Sequence, residues 1–311
     1  MIVYRGRPET WDPPAGGSAV AIGVFDGVHR GHLRVFAALD AAPADTKVVL
    51  TFGTHPAAAL SPQGAPPKLS TLKGRLALFA AAGIDRTAIL DFDDEMIAMA
   101  PAAFVERVLV NGLDARLVAV GEGFRFGNKA LGTTDTLIEL GGMHRFEVSV
   151  VPILSDDGNE IRSTTIREAI AAGDVERAAE LLGRPYLIQG IVVPGEGRGR
   201  AIGVPTANIS FPTGLAVPRR GVYAVYAEVD GERMPGVANF GVRPTFGGDQ
   251  EVLEVHVIGR DVDIDGREIE VQFVARLRSE QRFEGVDALV EQIHTDISTA
   301  EALFGEVQQA P

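Results

Sequence analysis

Two of the chain's six histidines, His29 and His32, stand three residues apart in the segment GVFDGVHRGH, residues 23–32. The apolar run SAVAIGVF leads into it and LRVFAAL leads out, so the pair falls on a turn from strand to helix. In a parallel sheet such a turn lies at the carboxyl end of a strand, where these folds bind ligands. The helix N-terminus offers N–H groups and a positive dipole end to phosphate. Gly27 and Gly31 would let phosphates approach the backbone closely. The two imidazoles could donate hydrogen bonds and stabilise charge developing on a phosphorus under attack. For a bare H-x-x-H the bland alternative is a helix cap and a packed ring. A metal site is the weaker reading, because His55 is the one other plausible histidine ligand in this half.

The second half has its own glycine-rich loop, GEGRGRAIGVPTANI, residues 195–209, whose N–H groups could close over phosphates. No G-K-[ST] follows, so it is not a Walker loop; its bland alternative is a flexible turn. Glu254, in VLEVHVI, alternates with Leu253 and Val255 along a strand and points to one face alone. A carboxylate there is ordinarily solvent-facing, yet within reach of a hydroxyl it could act as a general base. Arg278, in RSEQRF, reads equally as a site residue or as a salt bridge at a hairpin end.

These residues need elements to carry them. Residues 1–184 alternate strand patterns (SAVAIGVF, TKVVLTF, RTAILDF, ARLVAVG, FEVSVVPIL) with helical ones (GHLRVFAALDAA, TLKGRLALFAAAGI, APAAFVERVLVNGL, TTDTLIELGGMH). That alternation predicts α/β architecture: a doubly wound parallel sheet with helices on both faces. STTIREAIAAGDVERAAELLG adds two short helices. Residues 185–311 are strand-length segments between glycine-rich turns, and predict a small antiparallel β-barrel. A terminal helix follows, with Val286, Leu289, Ile293, Ile297 and Leu303 on or near one face. The net charge of −13 argues against nucleic acid or an anionic membrane surface as partner. No apolar run approaches the roughly 20 residues of a membrane span. The absence of cysteine excludes disulfides, zinc thiolates and a cysteine nucleophile. The N-terminus reads as mature sequence, a soluble cytoplasmic protein is expected, and self-association is left open.

GVFDGVHRGH closely resembles the G-x-F-D-G-x-H-x-G-H signature of bacterial bifunctional riboflavin kinase/FAD synthetases, within the wider H-x-G-H class of nucleotidyltransferases. TFGTHP, GEGFRFGNKALG and IRSTTIREAIAAGDVERAAELLGRPY extend the likeness through the first domain, and GEGRGRAIGVPTANI, GVYAV, NFGVRPTF and LEVHVI through the second. The resemblance implies ATP-dependent phosphorylation of riboflavin to FMN, then adenylylation of FMN by ATP to FAD with release of pyrophosphate. It implies ATP, riboflavin, FMN and FAD as ligands and Mg²⁺ as the cation. In the first domain it carries nucleotide or phosphate contacts onto Gly23, Phe25, Asp26, Gly27, Gly31, His55, Ser163, Thr164 and Arg167. His29 and His32 would stabilise the transition state, and Phe124, Phe126 and Gly127 would meet the flavin. In the second it carries phosphate contacts onto Gly197, Gly199 and Gly203, and phosphate and metal contacts onto Thr206 and Asn208. Glu254 would be the general base, with Asn239, Arg243, Thr245 and Arg278 toward the flavin.

The chain departs from that pattern at four positions. Gly123 stands where the family has Asp or Asn, Arg162 where it has Ser, Thr54 where it has Pro, and Asp265 where it usually has Tyr. Gly123, which removes a polar side chain, and Arg162 favour the alternative of a riboflavin kinase alone, with the first domain a nucleotide-binding or regulatory module. The intact histidine turn favours the bifunctional enzyme.

Overall fold

The computed structural model describes residues 1–54, 58, 64–195, 197–245, 248–260 and 264–309, with the side chains at 198, 201, 243–245, 248–250 and 306–309 excepted. By contacts the chain divides into Met1–Ser163 and Thr164–Pro311. Sequence texture puts the helices Ser163–Ala172 and Val175–Leu182 with the first part; by contacts, all but Ser163 group with the second.

The first unit is built on β1 (Ile2–Arg5), β2 (Ser18–Ile22), β3 (Thr46–Phe52), β4 (Arg86–Leu90), β5 (Ala115–Gly121) and β6 (Glu147–Val151), in the order β1-β4-β3-β2-β5-β6. Every neighbouring pair is parallel. A two-stranded hairpin, β7 (Ser155–Asp156) and β8 (Asn159–Glu160), follows. β2 is central and buried throughout, which is why SAVAI carries no charge. Its alternate residues feed two cores, Val20 and Ile22 packing with Leu50, Val118 and Phe126, and Ala19 and Ala21 with Phe25, Phe36 and Phe79. From β2 the chain builds outward through β3 and β4, then returns to β5 on the other side. The carboxyl end of β2 is therefore the topological switch point, where open sheets bind ligands. The edge strand β1 was not expected from sequence; four residues with Ile2 and Val3 exposed give no burial signal.

The second unit closes β9 (Tyr186–Val193), β10 (Ala207–Ser210), β11 (Gly221–Val229), β12 (Glu232–Thr245), β13 (Gly248–Val257) and β14 (Glu268–Arg278) into a barrel, ordered β10-β13-β12-β11-β14-β9 and antiparallel throughout. Ile188, Tyr223, Val225, Leu253, Val255, Val271 and Phe273 are buried almost completely, as in a small barrel filled by its own side chains. A ligand must then sit on the outside. The helix Val286–Gln309 packs there, Ala300 and Phe304 lying on Val222, Ala224, Tyr226 and Val237. Phe304 sits 4.7 Å from the Tyr226 ring, and burying such a ring contributes roughly 1.5–3 kcal/mol. Ile297 and Leu303 pack as expected, whereas Val286 is exposed at the helix start. Val286 falls on the same helical face as 297, 300 and 304, but it is the first residue of the helix and lies before the packed stretch.

Candidate active sites

The histidine turn is tightly specified. Phe25 and Val28 take positive φ values of 51° and 42°, conformations that cost about 1–3 kcal/mol each and persist only where neighbours enforce them. The Phe25 ring supplies that enforcement, packed 4.9 Å from Phe36, 6.2 Å from Phe79 and edge-on to His32 at 5.1 Å. A Cβ on Gly23 would lie 2.9 Å from the same ring. Asp26 turns inward, its carboxylate accepting from Leu69 N at 2.9 Å and Ser70 N at 3.2 Å. Gly27 N donates to Ser70 Oγ at 3.1 Å, and Ser163 Oγ to Asp26 O at 3.1 Å. His29 caps the helix Arg30–Ala37, its Nδ1 accepting from His32 N at 3.3 Å. That bond puts the neutral ring's proton on Nε2. The two imidazoles stack 3.5 Å apart at 21°. Gly31 has a steric reason too, since a Cβ there would press on His29 Nδ1 and Cε1 at 3.2 Å. Capping and ring packing, the bland alternative, are thus both present, and together they hold the two rings side by side at a helix start.

Thr164 is exposed and Arg167 half-buried on the helix that Ser163 begins. His55 lies outside the described residues. Arg162 pairs with Glu160 at the surface. In the segment expected to meet flavin, Phe124 is half-buried and stacks on Phe126 at 5.6 Å and 12°. Phe126 itself is buried in the core against Phe104, and Gly127 sits where a Cβ would meet Pro101 at 2.9 Å. Phe126 and Gly127 are held by packing; Phe124 carries the partly accessible ring.

In the second unit, β-register does what sequence spacing cannot show. Asn208 on β10 pairs with Glu254 on β13, Glu254 with Asn239 on β12, Asn239 with Val222 on β11, and Val222 with Arg278 on β14. Directly opposed residues share a face, so five strands present one transverse row. A bulge between Val222 and Tyr223 lets Arg278 join that row. The row lines a cavity of about 510 Å³ with Gly197, Gly199, Thr206, His256, Asp265 and Phe283, walled by Leu289, Ile293 and Asp296 of the terminal helix. His256 Nδ1 lies 2.8 Å from Pro205 O, tying β13 to the PTAN loop. Gly203, in that loop, has φ +80°. Arg243 and Thr245 pair through their backbones with Gln250 and Gly248, and their side chains lie outside the described part.

A hard cation fits this loop. A Cβ on Gly195 would overlap the Asn208 amide, and one on Gly199 would overlap Val204 O and lie 3.1 Å from Thr206 Oγ1. The glycines therefore leave room at two hard oxygen donors of the kind Mg²⁺ takes together with water and phosphate. Among the described residues no cluster of three His, Cys, Asp or Glu side chains forms a site of its own.

Sequence reasoning missed Asp296, His256 and Arg75. Arg278 is committed to Asp296, Nε donating at 2.9 and 3.0 Å and NH2 at 2.8 Å, while NH1 donates to Ser279 O at 3.0 Å. Asp296 was findable: it falls between Ile293 and Ile297, a charge on the helix's apolar side. His256 follows Glu254 by two and shares its face. Arg75 interrupts the apolar stripe of Leu72 and Phe79 in the same way.

Fold and sites together define a two-module enzyme of nucleotide-dependent group transfer. The family models for FAD synthetase and for riboflavin kinase match residues 12–165 and 182–304. The bifunctional riboflavin kinase/FMN adenylyltransferase of Pseudomonas fluorescens is 39% identical over 94% of each chain, and that of Escherichia coli K12 is 36% identical over 100% of each. The chain belongs to the bifunctional riboflavin kinase/FMN adenylyltransferase family, and carries both activities. It is also similar in fold, with TM-score 0.87 and 29% identity, to a solved structure described as a macrolide-efflux protein from Streptococcus pneumoniae, over 97% of this chain and 99% of that one. Among the described residues no helix is long and apolar enough to cross a membrane.

Proposed function

We propose that the two reactions are divided between the two sites as follows, the kinase at the barrel cavity and the adenylyl transfer at the histidine turn. The observation that carries the first assignment is the row Asn208–Glu254–Asn239, which sets one carboxylate between two amides on the cavity wall. Glu254 accepts the proton of the riboflavin 5′-hydroxyl as its oxygen attacks the γ-phosphorus of ATP, and ADP leaves. Asn239 orients the flavin side. Thr206 Oγ1 and Asn208 Oδ1 hold Mg²⁺, which when bound neutralises phosphate charge. His256 keeps the PTAN loop against β13.

At the turn, an FMN phosphate oxygen attacks the α-phosphorus of ATP in line, and pyrophosphate leaves. His29, with its proton on Nε2, and His32 stabilise the charge on the transferring group. Asp26 acts from behind, fixing the turn to residues 69 and 70 rather than touching nucleotide. Arg278 holds the terminal helix over the kinase cavity rather than binding flavin directly. The protein works in the cytoplasm on small-molecule substrates. Chromatography of products after incubation with riboflavin, ATP and Mg²⁺ tests the whole: FMN and FAD should accumulate in sequence. In the E254Q chain FAD should form only from supplied FMN; FAD made from riboflavin at the normal rate would refute the division.

A further inference from the structure

The helix Leu72–Ala81 buries a charge beside the histidine turn. Arg75 is 7% exposed. Its NH1 donates to Val24 O at 2.7 Å and its NH2 to Phe52 O at 3.3 Å. Phe52 ends β3, and Val24 stands two residues beyond the end of β2. The guanidinium therefore bridges the carboxyl ends of the two adjacent parallel strands at the switch point. Thr51 Oγ1 donates to Val24 O as well, at 3.1 Å. Val24 precedes the strained Phe25, and the neighbouring residues 69 and 70 hold Asp26. One short stretch, 69–75, thus grips the turn on both sides of Phe25. Burial pushes the Arg75 pKa down, and Asp26 offsets part of that. A charge kept buried at such a cost needs a compensating arrangement, and the two strand-end carbonyls supply it.

We propose that Arg75 is the positioning residue of the adenylyl-transfer turn: its fork fixes the ends of β2 and β3 and so holds Phe25 and the stacked His29–His32 pair in register for the α-phosphate. This rests on the assignment of that turn to adenylyl transfer. Arg75 touches no substrate and acts through Val24. Lysine cannot replace it fully, because a single ammonium lacks the rigid fork that spans two carbonyls. Displacing donors that act in the transition state lowers kcat before it alters substrate binding.

The test uses full-length R75K, R75M and H32A chains, with adenylylation of supplied FMN resolved into kcat and KM for ATP. FMN formation from riboflavin and thermal unfolding are followed on the same preparations. The adenylylation kcat should fall about tenfold in R75K and about 100-fold in R75M, with KM for ATP within about threefold and FMN formation unchanged. R75K keeps charge, length and one hydrogen bond, so it provides the reading in a folded chain if R75M does not fold. A folded R75K with kcat within twofold of the parent, or a loss confined to KM, overturns the proposal. H32A separates the two levels: an active H32A chain removes the site assignment itself, whereas an impaired H32A beside an unimpaired R75K removes only the role of Arg75.

Discussion

Replacing Asp296 by asparagine should unlatch the terminal helix from the kinase cavity. The Asp296 carboxylate is 4% exposed and accepts from Arg278 Nε and NH2 and from Gln292 Nε2 at 3.0 Å. The substitution keeps the shape and removes the charge, leaving Arg278 largely buried with a neutral carbonyl, Ser279 O, accepting from NH1. Breaking one side of a buried ion pair costs about 3–5 kcal/mol. The Arg278 side chain keeps 15% exposure and asparagine retains one acceptor oxygen, so the expected loss is about 2–3 kcal/mol. For a domain of roughly 150 residues, with about 2–4 °C per kcal/mol, the unfolding transition of the second unit should drop by about 5–10 °C. Because Leu289 and Ile293, just N-terminal to Asp296, wall the cavity, KM for riboflavin should rise before kcat falls. Calorimetry and steady-state kinetics on the full chain read both effects, and adenylylation of supplied FMN serves as the internal control. The double variant R278L/D296L, with no charge left buried, should recover most of the stability. A D296N transition within 2 °C of the parent, with unchanged KM, would show that the pair contributes nothing net and refute the latch.

Three further outcomes follow from the geometry. E254Q keeps the side chain's shape and removes its basicity, so FMN formation should fall by roughly 10²–10⁴-fold in a rate assay while riboflavin binding, by fluorescence titration, changes little. Gly123 has φ +77° and no described heavy atom within 4 Å of a Cβ position, so the Cβ of G123N has room among the described residues; asparagine tolerates that φ best, and a hydrogen bond to the bound ligand should raise FAD synthesis about five- to tenfold with FMN formation unchanged. Burial holds the Tyr223 phenol above its ordinary 10.0 against the opposing pull of Arg276; with the folded pKa above the unfolded one, the second unit keeps this stability below pH 10 and loses it as pH rises through the folded value, and Y223F should flatten that alkaline decline in a pH series of melting curves.

The sheet and barrel were legible because their signals are local. TKVVLTF is an uninterrupted buried strand and became Thr46–Phe52, residue for residue. EVDGER announces a hairpin, and β11 and β12 join across Asp230 and Gly231. The strand Ile2–Arg5 was illegible because edge pairing with β4 needs no buried side chain. The chemistry divides along the same line. Glu254, Asn208 and Asn239 each carry a recognisable neighbourhood, but nothing local says that they are cross-strand neighbours.

That asymmetry explains which candidates changed their part. Asp26, Phe126 and Arg278 are motif residues, and each is spent on holding something: a turn against residues 69 and 70, a core face, a helix. A motif records the residues a site requires without separating those that meet substrate from those that hold them. Burial separates the two here. Glu254, Asn208 and Asn239 keep partial exposure on a cavity wall, whereas Asp26 and Phe126 are buried and their polar or aromatic groups already engaged. His29 is buried as well, but its cap engages Nδ1 and fixes the proton on Nε2. A buried residue whose tautomer is set by its structural bond can serve both purposes, and the histidine turn concentrates that economy in ten residues, 23–32.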